Sequence, residues 1–182
     1  MKTLTLLRHA KSTWDDPVAR DLDRPLNRRG RKAAHAVGRE MRAQGLAFDR
    51  VIASPARRVL ETLAEVAAGY GAPLLPEQDR RVYLASPETL LDLVRETDEE
   101  VGRLLLVGHN PGMEMLAIML TRDEGDALRD ELAIKYPTGT LAEIGLPVER
   151  WGDVEPRIGR IERFIRPRDL DPELGPDEDS FA

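Results

Sequence analysis

Cysteine is absent from the 182-residue chain. That excludes disulfides, thiolate nucleophiles and cysteine-ligated zinc in one step. Aromatic residues are scarce, with two Trp, three Tyr and three Phe, so the core must be built from Leu, Val, Ile and Ala. The amino-terminal apolar stretch ends at Arg8, too short for a signal-peptide core and far too short to span a bilayer. A cytoplasmic protein with no membrane partner is the expectation. Positive charge is in deficit, the net charge being -6. That opposes binding to nucleic acid, whose affinity comes mainly from Lys and Arg on phosphates. The basic residues must therefore act locally. The length suits one domain over residues 1–166, followed by an acidic, Pro-rich tail over 167–182 expected to wrap the surface or stay disordered. No internal repeat is visible.

What is present is a set of three apolar runs that end alike. Thr3 to Leu7 stops at Arg8-His9-Ala10. Arg50-Val51-Ile52-Ala53 leads into Ser54-Pro55-Ala56-Arg57-Arg58, and Arg103 to Val107 leads into Gly108-His109-Asn110-Pro111-Gly112. Each run is short, bounded by turn residues and followed by a helical pattern, which is how buried parallel strands read. Open α/β sheets place ligands at the carboxyl ends of such strands. The three ends would bring together Arg8, His9, Arg58 and His109, with Arg57 in reserve. Two guanidiniums and two imidazoles around one point can neutralise a phosphate dianion without a metal, and an imidazole can attack phosphorus. The pattern points to phosphoryl chemistry.

Between these landmarks, Lys11 to Asn27 is polar, with prolines at 17 and 25 and aspartates at 15, 16, 21 and 23. It reads as a long loop, and such loops are often functional. The aspartates lack the spacing and central glycine of a calcium loop. Ala33, Val37 and Met41 predict a helix over 29–44, stopped by Gly45. Ser54 and Pro55 predict a capped helix carrying Arg58 in its first turn, where the helix dipole already favours anions. Residues 82–85 read as a short strand or extended segment. Ser86-Pro87 repeats the helix start, with Leu90, Leu91 and Val94 on the apolar face. A fourth helix begins near Pro111. Residues 140–146 and 158–165 read as two late strands, paired around Trp151-Gly152-Asp153.

The blocks Leu6-Leu7-Arg8-His9-Ala10-Lys11-Ser12, Arg24-Pro25-Leu26-Asn27 with Gly30, Ser54-Pro55-Ala56-Arg57-Arg58 with Thr62, and Gly108-His109-Asn110-Pro111 resemble the histidine phosphatase superfamily, over residues 1 to about 145. Within it, the small size, the alanine after the histidine and Tyr83-Leu84-Ala85-Ser86-Pro87-Glu88 look most like SixA-type phosphohistidine phosphatases. The resemblance implies a three-layer α/β/α sandwich with a mostly parallel central sheet, as in phosphoglycerate mutase. It implies that His9 is the nucleophile, that Arg8, Arg58 and His109 complete the phosphate pocket, and that neither metal nor organic cofactor takes part.

Larger mutase-like members add a glutamate that protonates the leaving alcohol. Glu88 is the nearest candidate for such an acid here, although in a helix first turn an acid also simply complements the dipole. A phosphoramidate leaves as an imidazole that can already be protonated near neutral pH, whereas an alkoxide leaves poorly without an acid. The preferred substrate is therefore phosphohistidine on a protein partner. A small phosphate monoester, hydrolysed or isomerised, is the alternative enzyme reading, and a phosphate-binding module without turnover is the reading from another class. Lys11, Arg24 and Trp14 are candidates for the pocket rim, with surface solvation or loop packing as their ordinary role. His35 lies within a helix and reads as structural or exposed.

Overall fold

The computed structural model describes residues 1–17, 20–123 and 125–175. Six strands, β1 (Lys2–Arg8), β2 (Arg50–Ala53), β3 (Glu77–Gln78), β4 (Arg103–Gly108), β5 (Leu141–Leu146) and β6 (Arg160–Ile165), form one sheet in the order β3-β2-β4-β1-β5-β6. The pairs β3-β2, β2-β4 and β4-β1 are parallel, while β5 runs antiparallel to both β1 and β6. Only β5 therefore opposes the common direction. In register, Arg8 lies beside Gly108 and Ala53 beside Val107, so the carboxyl ends of β1, β2 and β4 finish together.

Among the described residues six α-helices cover the two faces: α1 (Arg28–Ala43), α2 (Arg57–Tyr70), α3 (Pro87–Arg95), α4 (Gly112–Leu120), α5 (Ala127–Ile134) and α6 (Pro167–Leu170). Successive strand residues point to opposite faces, and β4 divides accordingly. Leu105 and Val107 pack with Val37 and Met41 of α1 and Val59, Leu63 and Val66 of α2. Leu104 and Leu106 pack with Leu90 and Val94 of α3, Met113 and Leu116 of α4 and Leu132 of α5. The result is the three-layer sandwich with a mostly parallel sheet. Its core is aliphatic, with the single fully buried Trp151 anchored by its indole N–H on Val101 O at 2.7 Å.

Local chemistry accounts for most helix starts. Asn27 caps α1 by accepting from the Gly30 N–H at 2.8 Å, and Ser86 caps α3 with Pro87 in its first turn, as its sequence predicts. The Ser54-Pro55 signal reads differently in the structure. Helix α2 starts after Ala56 with no side-chain cap, and Ser54 sits two residues earlier at the end of β2. Its hydroxyl accepts the Ala56 N–H at 3.2 Å and is also turned to a histidine described below. The segment expected to be extended over 82–85 is a 3₁₀ turn (Arg80–Val82) followed by Leu84 at φ 50°. Strand β3 and helix α5 have no counterpart in the sequence reading. Strands β5 and β6 form the expected hairpin.

Two glycines permit close approaches near the strand ends. A Cβ on Gly30 would stand 2.1 Å from Lys11 O, and one on Gly112 would stand 2.2 Å from Ala85 O. These contacts hold the chain leaving β1 against α1 and seat the start of α4 against the segment after Tyr83. Of the expected tail, α6 and the turn Pro172–Leu174 lie over α1, with Leu170 against its core and Arg29 Nη2 donating to Glu173 O at 3.0 Å. Residues 176–182 of that expected tail, and residues 18 and 19 of the predicted loop, lie outside the described residues. Among the described residues no helix is long and apolar enough to cross a membrane.

Candidate active site

His9 is the first residue beyond β1. Its N–H donates to Gly108 O at 3.0 Å, and its carbonyl accepts from the Gly139 N–H at 3.0 Å. The next N–H, of Ala10, donates to Thr62 Oγ1 at 2.9 Å, while the Thr62 hydroxyl donates to Arg58 O at 2.6 Å. Thr62 thus ties the end of β1 to the first turn of α2. The His9 ring lies with Nδ1 2.7 Å from Ala10 O. A carbonyl can only accept, so Nδ1 carries the proton and Nε2 keeps its lone pair. Burial lowers the imidazolium pKa of His9 to about 4; the Ala10 carbonyl opposes this, and the nearby Arg58, Arg8 and Arg24 cations add to the lowering. At neutral pH His9 is therefore a neutral imidazole with a defined nucleophilic nitrogen.

His109, the first residue beyond β4, stands with its ring centroid 5.3 Å from that of His9. Its Nδ1 is 3.2 Å from Arg58 Nη2 and its Nε2 is 2.8 Å from Ser54 Oγ. A guanidinium can only donate, so Nδ1 accepts and Nε2–H donates to Ser54. Burial, then His9 and Arg58, lower the pKa of His109 to about 3. This is the second neutral imidazole in the cluster.

Arg58, only 2% exposed, is held by a third element. Its Nη1 donates to Asp21 O at 2.7 Å and its Nη2 to Asp21 Oδ2 at 3.0 Å. The same carboxylate accepts from the Tyr83 hydroxyl and, at 3.0 Å, from Arg24 Nε. Burial raises the Asp21 pKa, but the Tyr83, Arg58 and Arg24 donors outweigh it and hold the group at about 2. The Tyr83 and His109 rings stand edge to face at a centroid distance of 5.4 Å. Arg8 donates from Nη1 to Tyr136 O at 2.8 Å. The Nε–H groups of both Arg8 and Arg58 are buried without a hydrogen-bond partner among the described residues. Buried donors left unpaired are costly, and two of them on guanidiniums beside His9 suit a site that takes up an anion.

The structure therefore brings Arg8, His9, Arg58 and His109 together at the strand ends. Arg24 is buried too, bonded to Ser12 Oγ at 2.9 Å and stacked 3.4 Å from the Trp14 ring, and its charge reaches His9. Lys11 lines a cavity with Arg8. Glu88 is exposed in the first turn of α3 and makes no hydrogen bond to any pocket residue among the described residues. Arg57 is half exposed and pairs with Glu61 at 3.4 Å, and His35 faces a groove on the outer side of α1. Sequence reasoning missed Asp21, Tyr83 and the role of Ser54. It also missed Glu114 in the first turn of α4, whose Oε2 accepts from Asn110 Nδ2 at 3.2 Å. Burial raises the Glu114 pKa against the opposing field of Arg8. The placement of Asn110-Pro111 at a helix start was a usable signal for an acid one turn further on.

The model of the histidine phosphatase superfamily (branch 1) matches residues 4–81. An uncharacterized protein of Mycobacterium tuberculosis is 37% identical over 164 residues, covering 89% of this chain and all of the relative. The chain belongs to the histidine phosphatase superfamily. Among solved structures it is similar to a candidate phosphohistidine phosphatase SixA from Agrobacterium tumefaciens, at 30% identity over 91% of this chain and 97% of that one, TM-score 0.73. It is also similar to a candidate phosphohistidine phosphatase SixA from Nakamurella multipartitia, at 28% identity over 91% of this chain and 96% of that one, TM-score 0.79. Both likenesses run through the whole sandwich, so the six-stranded sheet and its helices form the phosphoglycerate mutase-like fold of this superfamily. Membership of the histidine phosphatase superfamily, together with the likeness to SixA structures, supports a phosphatase, with the four-residue cluster at the strand ends as its candidate centre.

Proposed function

We propose that this phosphatase removes the phosphoryl group from phosphohistidine on a protein partner, without a metal, through a phosphohistidine formed on His9. The observation that carries the reading is the His9 ring: Nδ1 is committed to Ala10 O, the group is held neutral, and Nε2 is left to attack. In the first step Nε2 forms a bond to phosphorus. The bond from phosphorus to the leaving nitrogen breaks, and its electron pair departs on an imidazole that takes its proton from solvent. Arg8 and Arg58 stabilise the phosphoryl oxygens through donors that include their unpaired Nε–H groups. A water then attacks the phosphorus on His9, the N–P bond breaks and inorganic phosphate leaves, returning the neutral imidazole.

His109 contributes in one of two ways, holding Arg58 through Nδ1 or, once a dianion raises its proton affinity, donating to the phosphoryl group. The protein substrate is supported by the exposure of Glu88 away from the cluster and by the likeness to structures named for phosphohistidine phosphatases. A small phosphate monoester remains the second reading because of Glu114, a carboxyl of raised pKa in the field of Arg8.

The test is phosphate release from a phosphohistidine-bearing protein domain in excess chelator, comparing wild type with His9→Ala. Rapid release by the wild type and loss of at least about a thousandfold in the variant are expected for removal of a nucleophile. Release that survives in His9→Ala, or that stops on chelation in the wild type, overturns the mechanism.

A further inference from the structure

Trp14 joins the active-site cluster through one buried cation. The guanidinium of Arg24 lies over its ring at 3.4 Å, yet Trp14 as a whole is 68% exposed. A ring covered on one face keeps that much exposure only with its other face open. Arg24 itself is 8% exposed. Its Nη1 donates to Ser12 Oγ at 2.9 Å and its Nε to Asp21 Oδ1 at 3.0 Å. The Asp21 carboxylate in turn accepts from Arg58 at 3.0 Å, and the charge of Arg24 acts on His9. One relay of contacts therefore runs from the phosphoryl pocket out to the Trp14 ring.

The backbone leading to the ring is held as well. Lys11 O accepts from the Asn27 N–H at 3.0 Å, the Thr13 N–H donates to Pro25 O at 3.1 Å, and Ser12 forms an antiparallel bridge with Leu26. The arm from His9 to Trp14 is thus tied to the segment that precedes α1. A lone surface aromatic is ordinary, but this one is clamped by a buried guanidinium of the pocket, and a ring fixed in advance costs little entropy to present to a ligand. In-line attack by His9 Nε2 sends the leaving group away from His9. For phosphohistidine that group is a flat imidazole that gains a proton as it departs, and the face of an indole attracts both a ring and a cation.

We propose that the open face of Trp14 stacks on the imidazole of the substrate phosphohistidine and selects it over leaving groups without a ring. The inference rests on the phosphohistidine reading given above and adds a specificity-determining residue to it. Trp14→Ala also strips Arg24 of its cover, so a loss of activity alone does not identify the stack. A ratio of rates does. Phosphoramidate presents the same N–P bond to His9 with ammonia in place of the ring, and a disturbance of Arg24 is common to both substrates.

The experiment measures kcat/KM on a phosphohistidine peptide and on phosphoramidate, in wild type, Trp14→Ala, Trp14→Leu and Trp14→Phe. The ratio of peptide to phosphoramidate is expected to fall about tenfold in the alanine and leucine variants, the upper range for an aromatic pair. In Trp14→Phe it is expected to return to within about threefold of wild type, because a smaller ring still stacks. A ratio unchanged in Trp14→Ala, or restored by leucine as fully as by phenylalanine, overturns the stack while leaving the phosphohistidine reading intact. Wild type that leaves the peptide unhydrolysed, whether or not it splits phosphoramidate, overturns that reading and the stack with it. Binding supplies a second readout. The chain has two Trp, and Trp151 is fully buried, so acrylamide quenching of the emission reports Trp14. Imidazol-1-ylmethylphosphonate is expected to protect Trp14 from the quencher and methylphosphonate to leave it open. Equal protection by the two, or protection by neither, overturns the stack.

Discussion

Arg58 Nη2 donates to His109 Nδ1 across 3.2 Å, and this contact determines which proton His109 carries. With Nδ1 accepting, the ring N–H must sit on Nε2, where Ser54 Oγ receives it at 2.8 Å. Strand end, helix start and second strand end are thereby joined by one chain of donors and acceptors, and each link depends on the next.

Ser54→Ala tests that chain. Ser54 is fully buried, so the alanine leaves the His109 N–H without its acceptor, a loss of about 1–2 kcal/mol. The melting temperature is expected to fall by roughly 2–8 °C for a chain of this size. Catalysis should suffer as well, because a ring free to change tautomer no longer holds Arg58. A variant with unchanged melting temperature and unchanged kcat/KM would show that the Ser54 contact positions nothing.

Asp21 is a positioning residue by the same logic, since it meets Arg58 through both its backbone and its side chain. Asp21→Ala removes the carboxylate that Arg58, Arg24 and Tyr83 share. A loss of about tenfold in kcat/KM is expected, about 1.4 kcal/mol of transition-state stabilisation. Asp21→Asn keeps an oxygen for the donors and should recover most of it. Equal losses in the two variants would instead assign the effect to the charge and not to the placement of Arg58.

The contrast between these residues and the cluster they hold explains what the sequence could reveal. Buried parallel strands are continuous apolar runs, so the ends at His9 and His109 announce themselves, and Ser86-Pro87 marks α3 by a local hydrogen bond that needs no tertiary partner. Asp21 has no such mark. It is one of four aspartates in a polar loop, and its distinction from Asp15, Asp16 and Asp23 is a contact made 37 residues away. Tyr83 was hidden in a segment whose apolar residues imitate a strand but which folds as a turn. Ser54 carried a misleading signal, because Ser-Pro before a helical pattern normally caps, while here His109 competes for the hydroxyl. Strand β3 is two exposed residues, too short to leave any periodicity.

Acid should weaken the fold in a window set by the two histidines. An ordinary histidine titrates at 6.5, whereas His9 and His109 are lowered to about 4 and about 3 in the fold. Below pH 6.5 the unfolded chain binds protons that the folded chain refuses, so stability declines, and the decline ends as the pH passes the folded values. Asp21 acts in the same direction lower down: its contribution is present above its ordinary 3.8 and is lost as pH falls toward about 2. Urea midpoints at pH 7, 6 and 5 isolate the histidines from the carboxylates. A steady fall is expected in the wild type and a shallower one in His9→Gln and His109→Gln. A midpoint constant from pH 7 to 5 would contradict the burial of both rings as neutral groups.

The two glutamates can be separated by the leaving group they serve. Glu88 is exposed and outside the cluster, so Glu88→Gln should leave hydrolysis of both phosphohistidine and alkyl phosphates within about twofold of wild type, as for surface changes remote from a site. Glu114 is partly buried beside Arg8, and burial raises its pKa, the direction an acid near neutral pH requires. A departing alkoxide needs a proton that a departing imidazole can take from solvent. Glu114→Gln is therefore expected to lower kcat on alkyl phosphates by about tenfold or more while changing kcat on phosphohistidine by less than about threefold. Steady-state rates on the two substrates decide it. Equal losses on both would make Glu114 a support for Asn110 and Arg8 and not an acid, and a loss confined to Glu88→Gln would move the proton donor to α3.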